Sequence, residues 1–340
     1  MLPLPSGSRS AQLDAVDAAL GEGAGRAWID HVHTYADAWD VLRRSYFERP
    51  FTPDHLDREA AALLHSRSTL HRVVQKAFRK DERLRRLALT HATLDGHDPR
   101  NVPAWLGLLH YVEQNFGTWT VPGGLGRLAE AMTKRLGERR VEVLLGTTVR
   151  DIAVRGGRAV AVVTSAGDVD ADLVVCAVDP RGLPALADHV RRTMPALPPV
   201  VSHLGLVGDV PDLPHEVVLH GDPTLVLRTH GTAPEGGAAW TVLGRGRLSE
   251  DVLTALARRR IDVREQVQVR VDRSPREQVV AWGGSPYGVL WQGRATLTHK
   301  LGTATPVPGV YCAGAHVAGS TGLPFTALTA AVVAEQVGKA

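Results

Sequence analysis

The residues with the clearest chemical potential lie near the C-terminus. Gly314, Gly319 and Gly322 punctuate a loop between a short apolar run, 310–313, and an Ala/Val/Leu-rich stretch that continues to Val337. The apolar run has the pattern of a buried strand. Pro324 stands at the start of the following helix, where its missing N–H removes no hydrogen bond. Glycine permits positive φ and lets another molecule approach the backbone closely. Free N–H groups at such a helix start, together with the positive end of its dipole, make a seat for an anion or an electron-rich ring edge. Local pattern alone leaves two readings: an ordinary terminal strand, loop and helix, or a seat for an anionic or electron-rich ligand.

Other patterns are weaker. Gly124-Leu-Gly126-Arg-Leu-Ala129 has the G-x-G-x-x-A spacing of a nucleotide-binding turn. A true one follows a buried strand and has an acidic residue at the end of the next strand. Here Pro122 breaks the preceding segment, and the next expected strand, 141–145, runs into Gly146 without an acid. That fingerprint is a decoy. His31 and His33 are two apart, which on a helix points them in different directions, and no third ligand sits at a fixed offset, so no metal site is expected. Cys176 and Cys312 each fall inside an expected strand and lack a metal or redox spacing. They read as buried thiols in a reducing cytoplasm.

Upstream residues sharpen the terminal element. Thr305-Pro-Val-Pro-Gly-Val-Tyr311 leads into the strand, and Gly283-Gly-Ser-Pro-Tyr-Gly288 lies earlier. With the terminal loop, these resemble the C-terminal signature of phytoene desaturase-type FAD-dependent oxidoreductases, a branch of the flavoproteins that includes the amine oxidases. The resemblance implies that the strand–loop–helix element closes over FAD, with Gly314, Ala315, Gly322, Leu323 and Pro324 at cofactor-binding positions. The family's His-Pro is replaced here by Ala318-Gly319, a departure that bears on substrate identity. Trp119, Pro122, Gly123 and Gly124 resemble the family's Trp-x-x-Pro-x-Gly-Gly segment, which implies that Gly123 and Gly124 also pass the flavin. Val149 matches a position that sets backbone groups against the adenine, and the turn from Ala177 to Asp179 matches one near the dinucleotide. The loop with Gly284 and Tyr287 either faces a substrate tunnel or is a surface turn.

The activity implied is removal of hydride from an unactivated C–H as a neighbouring proton leaves, which makes a double bond in an isoprenoid or another lipid. No catalytic base is assigned. Asp54, Asp57 and Arg58 lie where some family members place polar residues, and helix capping is the preferred reading for them. An alternative of a different class is a binding or scaffold protein that no longer holds flavin. Amine oxidation is disfavoured, since the chain holds only five Tyr and five Phe from which to build an aromatic cage.

These residues must be positioned by a chain of 340 residues, enough for two domains. Hydrophobic residues make up 44% and charged residues 22%, a globular composition without the basic, aromatic-rich character of a nucleic-acid binder. No apolar run reaches the about 18 residues of a membrane span, and the start lacks the pattern of a signal peptide. The expected location is the cytoplasm, with peripheral contact at the membrane's inner face. Residues 10–114 read as helices, broken at 21–25 and 50–53. Residues 67–86, from Arg67 to Arg86, read as a basic amphipathic helix whose charged face is either solvated or laid on an anionic membrane.

From 141 onward short strands follow: 141–145, 149–154, 159–164 and 168–170, then a continuous apolar run at 173–178 of the type buried on both faces. Strands are also expected at 200–207, 217–219, 224–227, 238–243 and 266–271, with a helix at 250–261. The fold class is therefore α/β: a doubly wound FAD-binding domain without its first strand–turn–helix unit, joined to an α+β substrate domain of helices and an antiparallel sheet. Residues 1–118 and 181–304 are assigned to the substrate domain, and 119–180 and 305–340 to the FAD domain. The family's opening G-x-G-x-x-G unit is not found within the 340 residues. The expectation drawn from this is that these residues alone do not retain FAD, and that an upstream segment or a partner chain supplies the unit.

Overall fold

A computed structural model describes residues 1–51, 56–320 and 322–338. Asp54 and Pro53 therefore lie outside the described residues. Packing divides the chain into two compact units. One comprises Met1–Thr118, Thr147–Leu197 and Val279–Ala340; the other comprises Trp119–Gly146 and Pro198–Gln278.

The first unit opens with short helices, among them Arg9–Leu20, Ala24–His33, Ala36–Leu42 and Leu108–Phe116. Their apolar stripes meet around Trp28, Ile29, Val32, Leu42, Leu64, Val74, Leu84 and Leu108, all buried. Some polar atoms inside this core are paired around Gln12. Gln12 Oε1 accepts from Trp28 Nε1 at 3.0 Å and from Gln114 Nε2 at 2.8 Å, while Gln12 Nε2 donates to the Pro5 carbonyl at 2.7 Å. Such closure matters because a buried amide without partners costs about 1–3 kcal/mol.

The same unit holds a three-stranded antiparallel sheet, Val149–Arg155, Arg158–Thr164 and Gly167–Asp170. It also holds a two-stranded parallel pair, Val174–Cys176 with Val310–Cys312. Cys176, Val310 and Cys312 pack with Ile152, Ala159, Leu183 and Leu186 into a second core. The expectation of a strand covered on both faces fails here, since Val175 and Val178 remain exposed. Only one face of the pair meets packed side chains among the described residues. The free thiols Cys176 and Cys312 are register partners on these strands.

The second unit is an antiparallel five-stranded sheet in the order Val267–Arg273, Val200–Val207, Gly237–Arg245, Thr224–Gly231, Glu216–Leu219. Leu204, Leu206, Leu225, Leu227, Trp240 and Val242 on its inner face pack against helix Val252–Ala257. That helix starts at Val252 because Asp251 caps it, accepting from Leu253 N at 2.8 Å, and it ends at Ala257, ahead of Arg260 with φ +66°. Helix Leu125–Glu138 belongs to this unit, and none of its residues is buried. The expected strand at 141–145 does not form. Its residues are exposed and pair with no neighbouring strand, so nothing offsets the entropy of extending them.

The basic stretch 67–86 is not one helix. It folds as Leu70–Ala77 and Glu82–Ala88, with Asp81 capping the second. Several of its cations are engaged within the unit. Arg83 Nη2 donates to the Leu20 carbonyl at 3.0 Å, and Arg85 Nη1 to the carbonyls of Phe78 and Arg79 at 3.1 and 3.0 Å. No helix among the described residues is long and apolar enough to cross a membrane. Trp28 is the test of the helical core. Trp28→Ala should lower the unfolding free energy by ~3–5 kcal/mol, read as a drop in the urea midpoint. A change within error would show that the helices do not pack on this ring.

Candidate functional site

The parallel pair dictates where the site lies. Each strand ends in a turn, and both turns lie at its carboxyl end, the edge at which open α/β sheets bind ligands. After Cys176 come Ala177, which is exposed, and Asp179, which is buried. After Cys312 comes the loop that contains Gly314 and Ala315. Ala313 N donates to the Cys176 carbonyl at 3.0 Å, which carries the pairing one residue past the strand. Gly314 N then donates to Thr329 Oγ1 at 2.8 Å and ties the loop to helix Leu323–Val337.

Gly322 precedes that fifteen-residue helix with φ +95°, and no side chain among the described residues caps the first-turn N–H groups. Pro324 takes the second helical position rather than the first. Gly319 has a packing role: a Cβ there would lie 2.4 Å from the Phe47 ring and 2.6 Å from the Tyr46 ring. The helix start is held in turn by Phe325, whose ring meets Phe47 edge-on at 5.1 Å.

The loop 283–288 closes on the same place. A Cβ on Gly284 would fall 2.3 Å from Asp179 Cβ, and one on Gly288 would fall 2.2 Å from the Ala315 carbonyl oxygen. His316 joins the pieces. Its Nε2 donates to the Ser285 carbonyl at 3.0 Å, and its Nδ1 lies 3.7 Å from Asp179 Oδ1. Nδ1 has no hydrogen-bond partner among the described residues. Burial holds the His316 pKa below its ordinary value, against the pull of the Asp179 carboxylate. Asp179 Oδ1 also accepts from the Arg181 backbone N–H and from Arg181 Nη1, each at 3.0 Å.

Beside this junction is a cleft lined by Leu106, Leu109, Tyr287, Val289, Trp291, Lys300, Ala315, Ala318, Gly319 and Ser320. Asp95, His97 and Thr296 line it as well, so its wall is mixed, with polar groups beside the apolar ones. Lys300 Nζ donates to the carbonyls of Val317 and Ala318 at 3.1 and 2.5 Å and sits 5.7 Å from the Tyr46 ring centre. Ser320 Oγ is buried without a hydrogen-bond partner.

The structure thus brings Ala177, Asp179, Gly284, Tyr287, Gly314, Ala315, Gly322, Leu323 and Pro324 into one unit. Val149 is in that unit too, at the exposed start of its strand, opposite Thr164. Gly123 and Gly124 belong to the other unit. There Gly124 precedes helix Leu125–Glu138, again without a side-chain cap, and the Gly123 carbonyl accepts from Thr232 Oγ1 at 3.4 Å. Asp57 is a capping residue, as preferred. It accepts from Ala60 N at 2.7 Å and from Ser45 Oγ at 2.6 Å at the start of helix Arg58–Leu64.

Residues 17–208 match the model of the family described as flavin containing amine oxidoreductase. The chain belongs to that family. The carotenoid enzymes among its relatives bear out the phytoene desaturase-type resemblance. The hydroxyneurosporene desaturase of Cereibacter sphaeroides is 27% identical over 382 residues, covering 96% of this chain and 76% of that protein. The enzyme of the same name from Rubrivivax gelatinosus is 26% identical, over 79% of this chain and 60% of its own length. The 4,4'-diapolycopene oxygenase of Methylomonas sp is 34% identical over a shorter stretch, 37% of this chain and 27% of that protein. Cyclohexylamine oxidase from Brevibacterium oxydans superposes with a TM-score of 0.63 at 15% identity, over 94% of this chain and 75% of that one. A putrescine oxidase superposes at 0.60, with 13% identity, over 90% and 73%. At such identities these two structures establish the fold.

Family membership implies FAD, and the residues present fit it. The glycine at the helix start, the uncapped first-turn N–H groups and the neighbouring Gly314, with φ +107°, leave a cradle that side chains would fill. A Cβ on Gly322 would meet nothing nearer than Pro324 Cδ at 3.8 Å, so the approach to the helix end is open.

Sequence reasoning missed His316, Lys300 and Ser320. His316 and Ser320 lie in the loop whose glycines drew attention, but the partner of His316 is distant in sequence and Ser320 is singled out only by its burial. Lys300 offers no motif; only the fold places its ammonium under the loop's carbonyls.

Two outcomes follow from this packing. Gly284→Ala should destabilise the protein by ~1–3 kcal/mol through overpacking against Asp179. Gly126→Ala, in an exposed helix with nothing within 4 Å, should be neutral or stabilising. Equal denaturant midpoints for the two variants would contradict the close approach. Burial also lowers Lys300 from 10.5 to about 7. Between those values the unfolded chain binds the extra proton, so this group's contribution to stability rises with pH from about 7 to about 10.5. Lys300→Met should flatten that part of the stability–pH curve. Parallel curves for wild type and variant would refute the assignment.

Proposed function

We propose that this protein is an FAD-dependent desaturase of a hydrophobic, isoprenoid-type polyene. The observation that carries the reading is the glycine loop 314–322 running into an uncapped helix start, at the carboxyl end of a parallel strand pair and beside a cleft with Leu106, Leu109, Val289 and Trp291 on its wall. Family membership and the carotenoid desaturases among the relatives support the chemistry. In this reading the first-turn N–H groups after Gly322 hold the anionic part of FAD, and Gly314 and Ala315 let its ring approach the backbone. When bound, FAD supplies the acceptor for the hydride leaving the substrate C–H.

The chain's own residues do the rest. Leu106, Leu109, Val289 and Trp291 give the cleft an apolar side against which a hydrocarbon chain can pack. His316 and Asp179 hold the loop 283–288 to the glycine loop and so fix Tyr287 at the cleft wall. Lys300 and Ser320 add an amine and an unpartnered hydroxyl to the same wall. Those groups suit a polyene with an oxygen near its terminus, because a buried hydroxyl gains when a partner arrives. Residues 1–118 with 181–304 serve as the substrate-binding part, and 119–180 with 305–340 as the cofactor-binding part.

The test is an assay with FAD and two acyclic carotenoids, one bearing a hydroxyl near its end and one a plain hydrocarbon. Expected is loss of two hydrogens and a red-shifted spectrum, faster for the hydroxylated compound. Trp291→Ala should lower kcat/KM on the order of tenfold, because ~1.4 kcal/mol of lost contact is one decade. An FAD-loaded protein that oxidises simple amines and leaves both polyenes unchanged would overturn the reading.

A further inference from the structure

Away from the cleft, the helical core contains a group of side chains that the desaturase reading does not use. His91 lies on helix Thr90–Leu94, and His110 and Glu113 lie one turn apart on helix Leu108–Phe116. Residues three apart on a helix share a face. His91 Nε2 is 3.0 Å from Glu113 Oε2, and His110 Nδ1 is 4.0 Å from the same oxygen. The three potential ligand atoms lie within 4.8 Å of one another. No other group of three such side chains among the described residues is so disposed.

His110 supplies the second observation. It is buried, with 5% of its surface exposed, and neither ring nitrogen has a hydrogen-bond partner. The Ala88 carbonyl approaches the ring and favours its protonated form, but does not complete hydrogen-bond geometry with either nitrogen. Buried imidazole nitrogens are ordinarily satisfied, and an orphan in a native fold calls for an explanation, an unplaced ion among them. Aromatic packing fixes the ring but leaves those nitrogens unserved. Trp28 meets it edge-on at 5.0 Å, and the His91 ring centre is 4.4 Å away.

We propose that His91, His110 and Glu113 form a binding site for a divalent transition metal of the Zn²⁺ class, which ties the two helices together and keeps one position for water. Two imidazoles and a carboxylate are a donor set that Zn²⁺ takes, with bonds of about 2.0–2.2 Å. Tetrahedral coordination at those lengths separates the ligand atoms by ~3.3 Å, and the two measured separations, 3.0 and 4.0 Å, fall on either side of it. The partly exposed His91 and Glu113 give the ion a route from solvent. The metal takes the place of the proton shared between His91 and Glu113, and it gives His110 its missing partner. The inference is independent of the desaturase reading.

The experiment uses the tag-free, full chain, stripped with chelator and then titrated with Zn²⁺ by calorimetry. Co²⁺ is followed in parallel by visible absorption. Expected are one Zn²⁺ per chain, a d–d spectrum of low-coordinate Co²⁺, and a Tm that rises with free Zn²⁺ because the native state alone binds it. Glu113→Gln should weaken the affinity on the order of tenfold or more. His110→Ala should do the same, and Glu113→Gln keeps the test open if that core variant fails to fold. His189→Asn, at an exposed position, should change nothing. Absence of stoichiometric Zn²⁺ binding by the wild-type chain would overturn the proposal. So would binding that Glu113→Gln leaves intact.

Discussion

Three in-register residue pairs, Val310 with Val174, Tyr311 with Val175 and Cys312 with Cys176, hold the candidate cofactor site together. A parallel pair delivers both of its outgoing turns to one edge. Here that edge receives Ala177 and Asp179 from one strand and Gly314 and Ala315 from the other. The loop 283–288 reaches the same edge because two glycines allow backbone contact with Asp179 and with the Ala315 carbonyl. If the register slipped by one residue, the buried thiols and Val310 would exchange faces with exposed neighbours. The glycine loop would then no longer meet the Asp179 turn.

Much of this was legible in the sequence because it depends on local chemistry. Glycine at 314 and 322, proline at 324 and an apolar run at 310–313 each specify backbone geometry by themselves, and the structure follows them closely. The strands around Val200, Ala238 and Thr224 were visible from short apolar runs bounded by turn residues, and they form where expected. Where the reading failed, distant partners decide. Residues 141–145 carry a strand pattern but have no neighbour to pair with. The run at 173–178 is apolar throughout, yet packed side chains meet only one of its faces. The basic stretch at 67–86 divides because one helix ends at Ala77 and Asp81 then caps the start of another. In the site, glycines could be named in advance, but His316, Lys300 and Ser320 acquire meaning only through contacts made far along the chain.

The cleft mixes apolar and polar walls, and three of the polar groups in and beside it are satisfied to different degrees. Lys300 is pushed toward neutrality by burial, yet it serves two loop carbonyls that would otherwise lack donors. His316 links the Asp179 turn, the glycine loop and the loop 283–288 through one hydrogen bond and one close carboxylate. Ser320 is left with an unserved hydroxyl. The first two arrangements stabilise the loop conformation. The third leaves a demand that a bound molecule can meet, and this is the difference between a structural polar group and a recognition group.

The central claim is that the helix start after Gly322 is where the protein holds the flavin dinucleotide. Hydrogen–deuterium exchange at saturating FAD tests it most directly, followed at the backbone amides of Leu323 and Phe325, which no side chain caps. The account predicts that FAD slows exchange at these two amides, and that Gly322→Val abolishes the slowing while the rest of the helix keeps its protection. FAD bound stoichiometrically with unaltered exchange at both amides would contradict it.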